Sequence, residues 1–206
     1  MTSLPTAWEI SSLICKLFLY FGAASMIGGS ICLWLFSDGR RQSALINLSY
    51  ILLGSFCGFQ AVLVNFLIQV GLINDRGFSG MFDWAMASIL FDTALGDVTV
   101  LRMASFVIAM IAGLLFLRPV MVSSKPLSQG FIQRVVLVNT VLFLLLASSF
   151  RLAGHISTLP ILSQIAIMLH VTAVALWIGS LYPLLILTRS TEVDVQPPRA
   201  PSPWPA

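Results

Sequence analysis

Both histidines of the chain fall in one stretch, RLAGHISTLPILSQIAIMLHVTAVALWIGS, residues 151–180, together with Arg151. Nearly every residue around Arg151, His155 and His170 is apolar. A neutral imidazole is the commonest metal ligand among side chains and also carries protons. Copper accepts imidazole, thioether and thiolate, and Cu(I) favours the two sulfur donors. Met26, Met86, Met103 and Met168 therefore enter as auxiliary candidates, although methionine is also an ordinary lipid-facing residue. Met168 is two residues from His170, which puts it on nearly the opposite face of a helix, so those two do not form a ligand pair.

The elements that hold these residues follow from composition. The 206 residues are 58% hydrophobic and 9% charged, with mean hydropathy +0.95. Soluble domains carry about a quarter charged residues. This composition belongs to a chain solvated by lipid. Five continuous apolar runs, roughly 8–36, 44–73, 99–120, 131–153 and 160–188, are each long enough to cross a bilayer as a helix. The runs do not alternate in polarity, and a helix satisfies its own backbone in lipid, so helices are expected rather than barrel strands. The expected fold is all-α, a transmembrane helix bundle forming a single domain over 1–190, with a Pro-rich disordered tail over 191–206. The first run reads as a span and not a cleaved leader, because no Lys or Arg precedes it and it is too long. Trp8 and Trp34 near its ends suit interfacial anchors.

Basic residues give the orientation. Arg40 and Arg41, then Arg118, Lys125 and Arg134, then Arg189 and Arg199 fall on one side. The positive-inside rule places the N-terminus outside and the C-terminus in the cytoplasm. The net charge of +3 is scattered, which argues against a nucleic-acid partner. Cys15, Cys32 and Cys57 lack metal or disulfide spacing. The 74–98 connection suits a short amphipathic helix on the outer surface, and its Asp75, Asp83, Asp92 and Asp97 serve either solvation or attraction of a cation.

Ionisable groups inside a bilayer are costly and need individual accounts. Glu9, Lys16 and Tyr20 share one face of the first span. In the second, Asn47, Tyr50, Gly54, Cys57, Ala61 and Asn65 form a small-and-polar stripe, the usual contact surface between membrane helices. In the fourth, Arg151 and His155 share a face if the helix continues. In the fifth, Ser163, His170 and Trp177 recur with Ala166 and Ala173 between, a face suited to close packing. By the orientation above, Glu9, Lys16, Arg102, Arg151, His155 and His170 all lie in or near the outer half. A metal site of His155 and His170 opening outward, with Glu9, Lys16, Arg102, Arg151 and Trp177 as a supporting cluster, would explain that asymmetry.

The pattern Gly154-His155, then His170 and Trp177-Ile178-Gly179, resembles the copper-resistance D (CopD) family of bacterial inner-membrane proteins. Lys16 with Tyr20, and Thr93, Gly96 and Arg102, add weaker matches, and the resemblance spans most of residues 10–185. It implies copper transport across the inner membrane and copper resistance, with His155 and His170 as ligands and a small periplasmic CopC-like carrier as partner. Family members continue through further spans, so this sequence resembles a short form. The implication is metal binding, with transport depending on a complete path.

Two other readings stay open. One is a b-type haem protein with histidine axial ligands, its propionates paired with Arg and Lys. His155 and His170 would sit at different depths, so a dimer or a bent loop is needed, and Gly22, Ala23 and Ala24 would supply room. The other is a structural subunit whose histidines are satisfied by interhelical hydrogen bonds. No nucleophile–base–acid motif is visible, so an enzyme is not expected.

Overall fold

A computed structural model describes residues 6–36, 41–122, 126–152 and 158–194, with the side chains of 189–194 left undescribed. The five apolar runs are helices long and apolar enough to cross a membrane. They are α1 (Ala7–Phe36), α2 (Arg41–Asn74), α4 (Ala94–Val122), α5 (Gln129–Ser148) and α6 (Ile161–Asp194). A 3-10 turn (Gly77–Phe82) and the short α3 (Trp84–Phe91) fill the connection between α2 and α4. There is no strand among the described residues. α6 runs on to Asp194, past the expected start of the tail at 191; residues 195–206 lie outside the described ones.

α1 is the centre of the bundle, in contact with α2, α5 and α6. Its middle reads GAASMIGGS, residues 22–30, and every one of those residues is buried. Small side chains let helix backbones approach, which is the main source of helix association where lipid removes the hydrophobic drive. On one side, Ser25 and Gly22 meet Gly54 and Gly58 of α2; a Cβ on Gly54 would lie 1.7 Å from the Ser25 hydroxyl oxygen. On another, Ala24 and Gly28 meet Gly179 of α6. A Cβ on Gly28 would stand 2.2 Å from the Gly179 carbonyl carbon. The α2 stripe expected from sequence is therefore a real contact surface: Asn47, Tyr50, Gly54 and Ala61 are all buried.

The two ends of the bundle differ. At the Phe36 end, Leu33, Ala44, Leu48, Val120, Ile132 and Val135 form a compact apolar cluster. There Arg41 donates from Nε to the Val120 carbonyl at 2.8 Å and from Nη2 to that of Met121, satisfying acceptors left over at the end of α4. At the Ala7 end, Trp8 packs on Gly71 and Met81, and Ser12 donates to Asn65 at 3.0 Å. Trp8 is thus a packing residue, while Trp34 remains exposed as an anchor would.

The connection between α2 and α4 carries a short helix as expected, and a capping aspartate sets where it begins. The Asp83 carboxylate accepts from the Ala85 and Met86 amides, both at 3.1 Å, and from Asn74 at 2.9 Å. The Met86 and Asn74 hydrogen bonds hold its carboxyl below the ordinary value of 3.8, with smaller help from Ala85 and from Arg76. A lowered native value means this stabilisation is complete above the ordinary carboxylate range and is lost as pH falls through the native value. Amide exchange at Ala85 and Met86 is therefore expected to keep its protection from pH 7 down to about 4 and to lose it below. Asp83→Ala is expected to lack that protection at every pH.

Candidate functional site

α6 is a peripheral helix whose contacts are mainly with α1. Its inward edge is Met168, Thr172, Ala175, Gly179 and Pro183, of which Ala175, Gly179 and Pro183 are buried. Gly179 lies nine residues beyond His170, about two and a half turns at 3.6 residues each, so the two occupy opposite faces. The His170 ring is exposed, about 14 Å along the axis from Ile161, and has no hydrogen bond to a described residue. Ala166, Ala173 and Trp177 share its outward face, and Trp177 is 70% exposed.

This corrects the packing expected for that face. Both sides of α6 carry small residues, but Gly179 docks against Ala24 and Gly28 of α1, with Ala175 buried one turn earlier, and this turns Ala166, His170 and Ala173 away. The purely structural account of His170, an imidazole satisfied by a neighbouring helix, has no partner among the described residues.

His155 lies outside the described residues, as does Gly154. The α-helix that was to carry Arg151 and His155 on one face ends at Ser148, and a single 3-10 turn, Ser149–Arg151, follows. Arg151 donates from Nε to Gln164 Oε1 at 2.9 Å, and Gln164 donates to the Leu159 carbonyl at 2.9 Å. That pair ties the end of α5 to the start of α6.

The supporting cluster divides among separate tasks. Glu9 closes a capping box at the start of α1. Its Oε2 accepts from the Thr6 amide at 2.7 Å and the Thr6 hydroxyl at 3.0 Å, and its own amide donates to Thr6 Oγ1 at 3.3 Å. Arg102 sits about 12 Å into α4 and donates from Nε to Ser149 Oγ at 2.8 Å. Its guanidinium carbon lies 4.8 Å from the centre of the Phe150 ring, which stacks on Tyr20 at 5.8 Å. Lys16 is exposed, four residues before Tyr20 on the same face of α1. Ser149, Phe150 and Gln164 gave no signal in the sequence, since their importance comes from which turn meets which helix.

Among the auxiliary sulfur candidates, Met26 is fully buried in the core, and Met103 and Met168 pack against that core. Packing, the commoner use of methionine, is what these three side chains do. The loop aspartates do not converge: no group of three His, Cys, Asp or Glu residues forms among the described residues. What the described residues offer a metal is one imidazole, on the face of α6 turned away from the bundle. A closed coordination sphere needs His155 or donors from another chain.

The small residues proposed to make room for a haem do not fit it. Gly22, Ala23 and Ala24 are buried in helix contacts, and a Cβ on Gly22 would already lie 2.7 Å from the Gly54 carbonyl oxygen.

Comparison with known protein families, characterised proteins and solved structures gives no match.

Proposed function

We propose that this chain is a multi-pass protein of the bacterial inner membrane that binds copper in the manner of the copper-resistance D family, with His155 and His170 as ligands. The observation that carries the proposal is His170: an imidazole deep along an apolar helix, on the face turned away from the bundle, with no hydrogen-bond partner among the described residues. A neutral ring so placed keeps a nitrogen lone pair for a metal. The resemblance over Gly154-His155, His170 and Trp177-Ile178-Gly179 supports copper as that metal. The role is carriage rather than catalysis, serving copper transport and resistance. Since one imidazole does not complete a copper sphere, His155 of the same chain or of a second copy supplies the next donor.

Charge distribution supports an orientation with the Ala7 end outside. Sequence at the Phe36 end carries Arg40, Arg41, Arg118, Lys125, Arg134, Arg189 and Arg199 against Asp38, Glu192 and Asp194. Sequence at the Ala7 end carries Glu9, Asp75, Asp83, Asp92 and Asp97 beside Lys16, Arg76, Arg102 and Arg151. The positive-inside rule then puts the Ala7 end, with His170, toward the periplasm, where a CopC-like carrier would deliver or receive copper. A periplasm-dependent reporter inserted near residue 80 is expected to be active and one near 125 inactive; the reverse pattern overturns the orientation.

The metal proposal is tested on the full chain purified in detergent, loaded with Cu(I) under reductant and washed with a chelator. Stoichiometric retained copper is the expected result. A chain that retains none, or that emerges with an intense Soret band from bound haem, contradicts it.

A further inference from the structure

We propose that Arg102, Lys16 and Tyr20 form a binding site for a phosphoryl anion, carried by the headgroup of a membrane phospholipid at the Ala7 end of the bundle. The proposal goes beyond the copper reading and does not depend on it.

Arg102 is a part-buried cation well inside an apolar helix, where an uncompensated charge is costly. Its environment fixes the group but does not neutralise it. Nε is spent on the Ser149 hydroxyl, and the Phe150 ring sets the guanidinium plane. The two terminal nitrogens, with four N–H donors between them, have no acceptor among the described residues. Two parallel N–H groups on a rigid plane match two oxygens of a phosphate.

Among the described residues no carboxylate pairs with Arg102 or Lys16. The ion pair found among the described residues is Arg76 with Asp83, in the connection between α2 and α4. Glu9, on the same face of α1 as Lys16, has its carboxylate engaged by Thr6. Lys16 makes no hydrogen bond or ion pair with a described residue and lies one turn from Tyr20. Tyr20 stacks on the Phe150 ring over which Arg102 lies. Lys16 and Tyr20 thus share a face of α1, and the Phe150 ring links Tyr20 to Arg102.

A lipid fits this position better than a soluble phosphate. Beside Lys16, α1 exposes Leu13 and Leu17, 58% and 61% accessible, which offer a surface for acyl chains. The cations lie about 12–14 Å from their helix starts, a depth from which long side chains reach the headgroup level.

The test measures thermal stability and lipid retention of the full chain in detergent. Phosphatidylglycerol is compared with phosphatidylcholine, and a separate arm adds inorganic phosphate without lipid. Phosphatidylglycerol is expected to raise the melting temperature and to be retained in preference to phosphatidylcholine. Arg102→Gln and Lys16→Gln are each expected to weaken that preference about fivefold, while Arg118→Gln at the other end leaves it intact. Lys16→Gln changes an exposed side chain, so it stays informative if Arg102→Gln fails to fold. A response to inorganic phosphate alone that both variants lose keeps the anion site and replaces the lipid by a soluble anion. No preference in the wild type, or an equal preference in the Lys16 variant, overturns the proposal.

Discussion

Gly179→Leu is expected to lift α6 off the bundle. A Cβ at residue 179 would lie 1.9 Å from the Ala24 carbonyl oxygen and 2.6 Å from its carbon, so the obstruction is backbone and cannot rotate aside. Even Gly179→Ala meets it, and leucine adds three further carbons. Overpacking of a tight site costs about 1–3 kcal/mol, and more when nothing can yield. α6 has little else to hold it, because its contacts beyond α1 are few. A native reporter lies in the same interface: Cys32 of α1 is 1% exposed, and its Sγ lies 3.8 Å from the Ser180 carbonyl oxygen of α6. In a Cys15→Ala, Cys57→Ala background, Cys32 is expected to resist a membrane-permeant maleimide. With Gly179→Leu it should label at least tenfold faster, with Gly179→Ala between the two. Unchanged labelling and melting temperature in the leucine variant would mean that α6 docks by some other surface.

His170→Ala is expected to do the opposite: remove function and leave the fold. The ring faces away from α1 and is hydrogen-bonded to no described residue, so its loss falls among surface substitutions, within about 0.5 kcal/mol of the wild type. Removing even a group that only orients a metal ligand costs roughly 10–100-fold in affinity. Loss of a ligand is expected to cost at least about 100-fold in copper affinity, read by competition with a chromogenic Cu(I) chelator. His155→Ala is expected to act in the same direction. A large drop in melting temperature with copper affinity unchanged would make His170 a packing residue and end its role as a ligand.

The spans were legible in the sequence because each is a continuous apolar run, and lipid makes that pattern sufficient to specify a helix. The α2 stripe was legible for a similar reason: small residues at three- and four-residue steps have few other uses in a membrane. The orientation of α6 was not. Ala166 and Ala173 offer one small face and Ala175 and Gly179 another, and the choice between them rests on Ala24 and Gly28 about 150 residues away in the chain. Glu9 was legible as a cap, since Thr6 three residues earlier completes a capping box, yet its company with Lys16 and Tyr20 suggested a site instead. The Arg151–His155 register rested on the helix continuing, and it ends at Ser148. The Arg102–Ser149–Phe150 arrangement joins two distant segments and leaves no trace in either one alone.

The central claim is that copper is held by imidazole nitrogen on the outward face of α6. The most direct measurement is the copper K-edge absorption spectrum of the copper-loaded, chelator-washed protein. Imidazole scattering with a first-shell nitrogen near 2.0 Å, as in other metal–histidine bonds, and its loss in His170→Ala are the predicted result. A spectrum that shows only oxygen or sulfur neighbours, or one that His170→Ala leaves unchanged, would contradict the account.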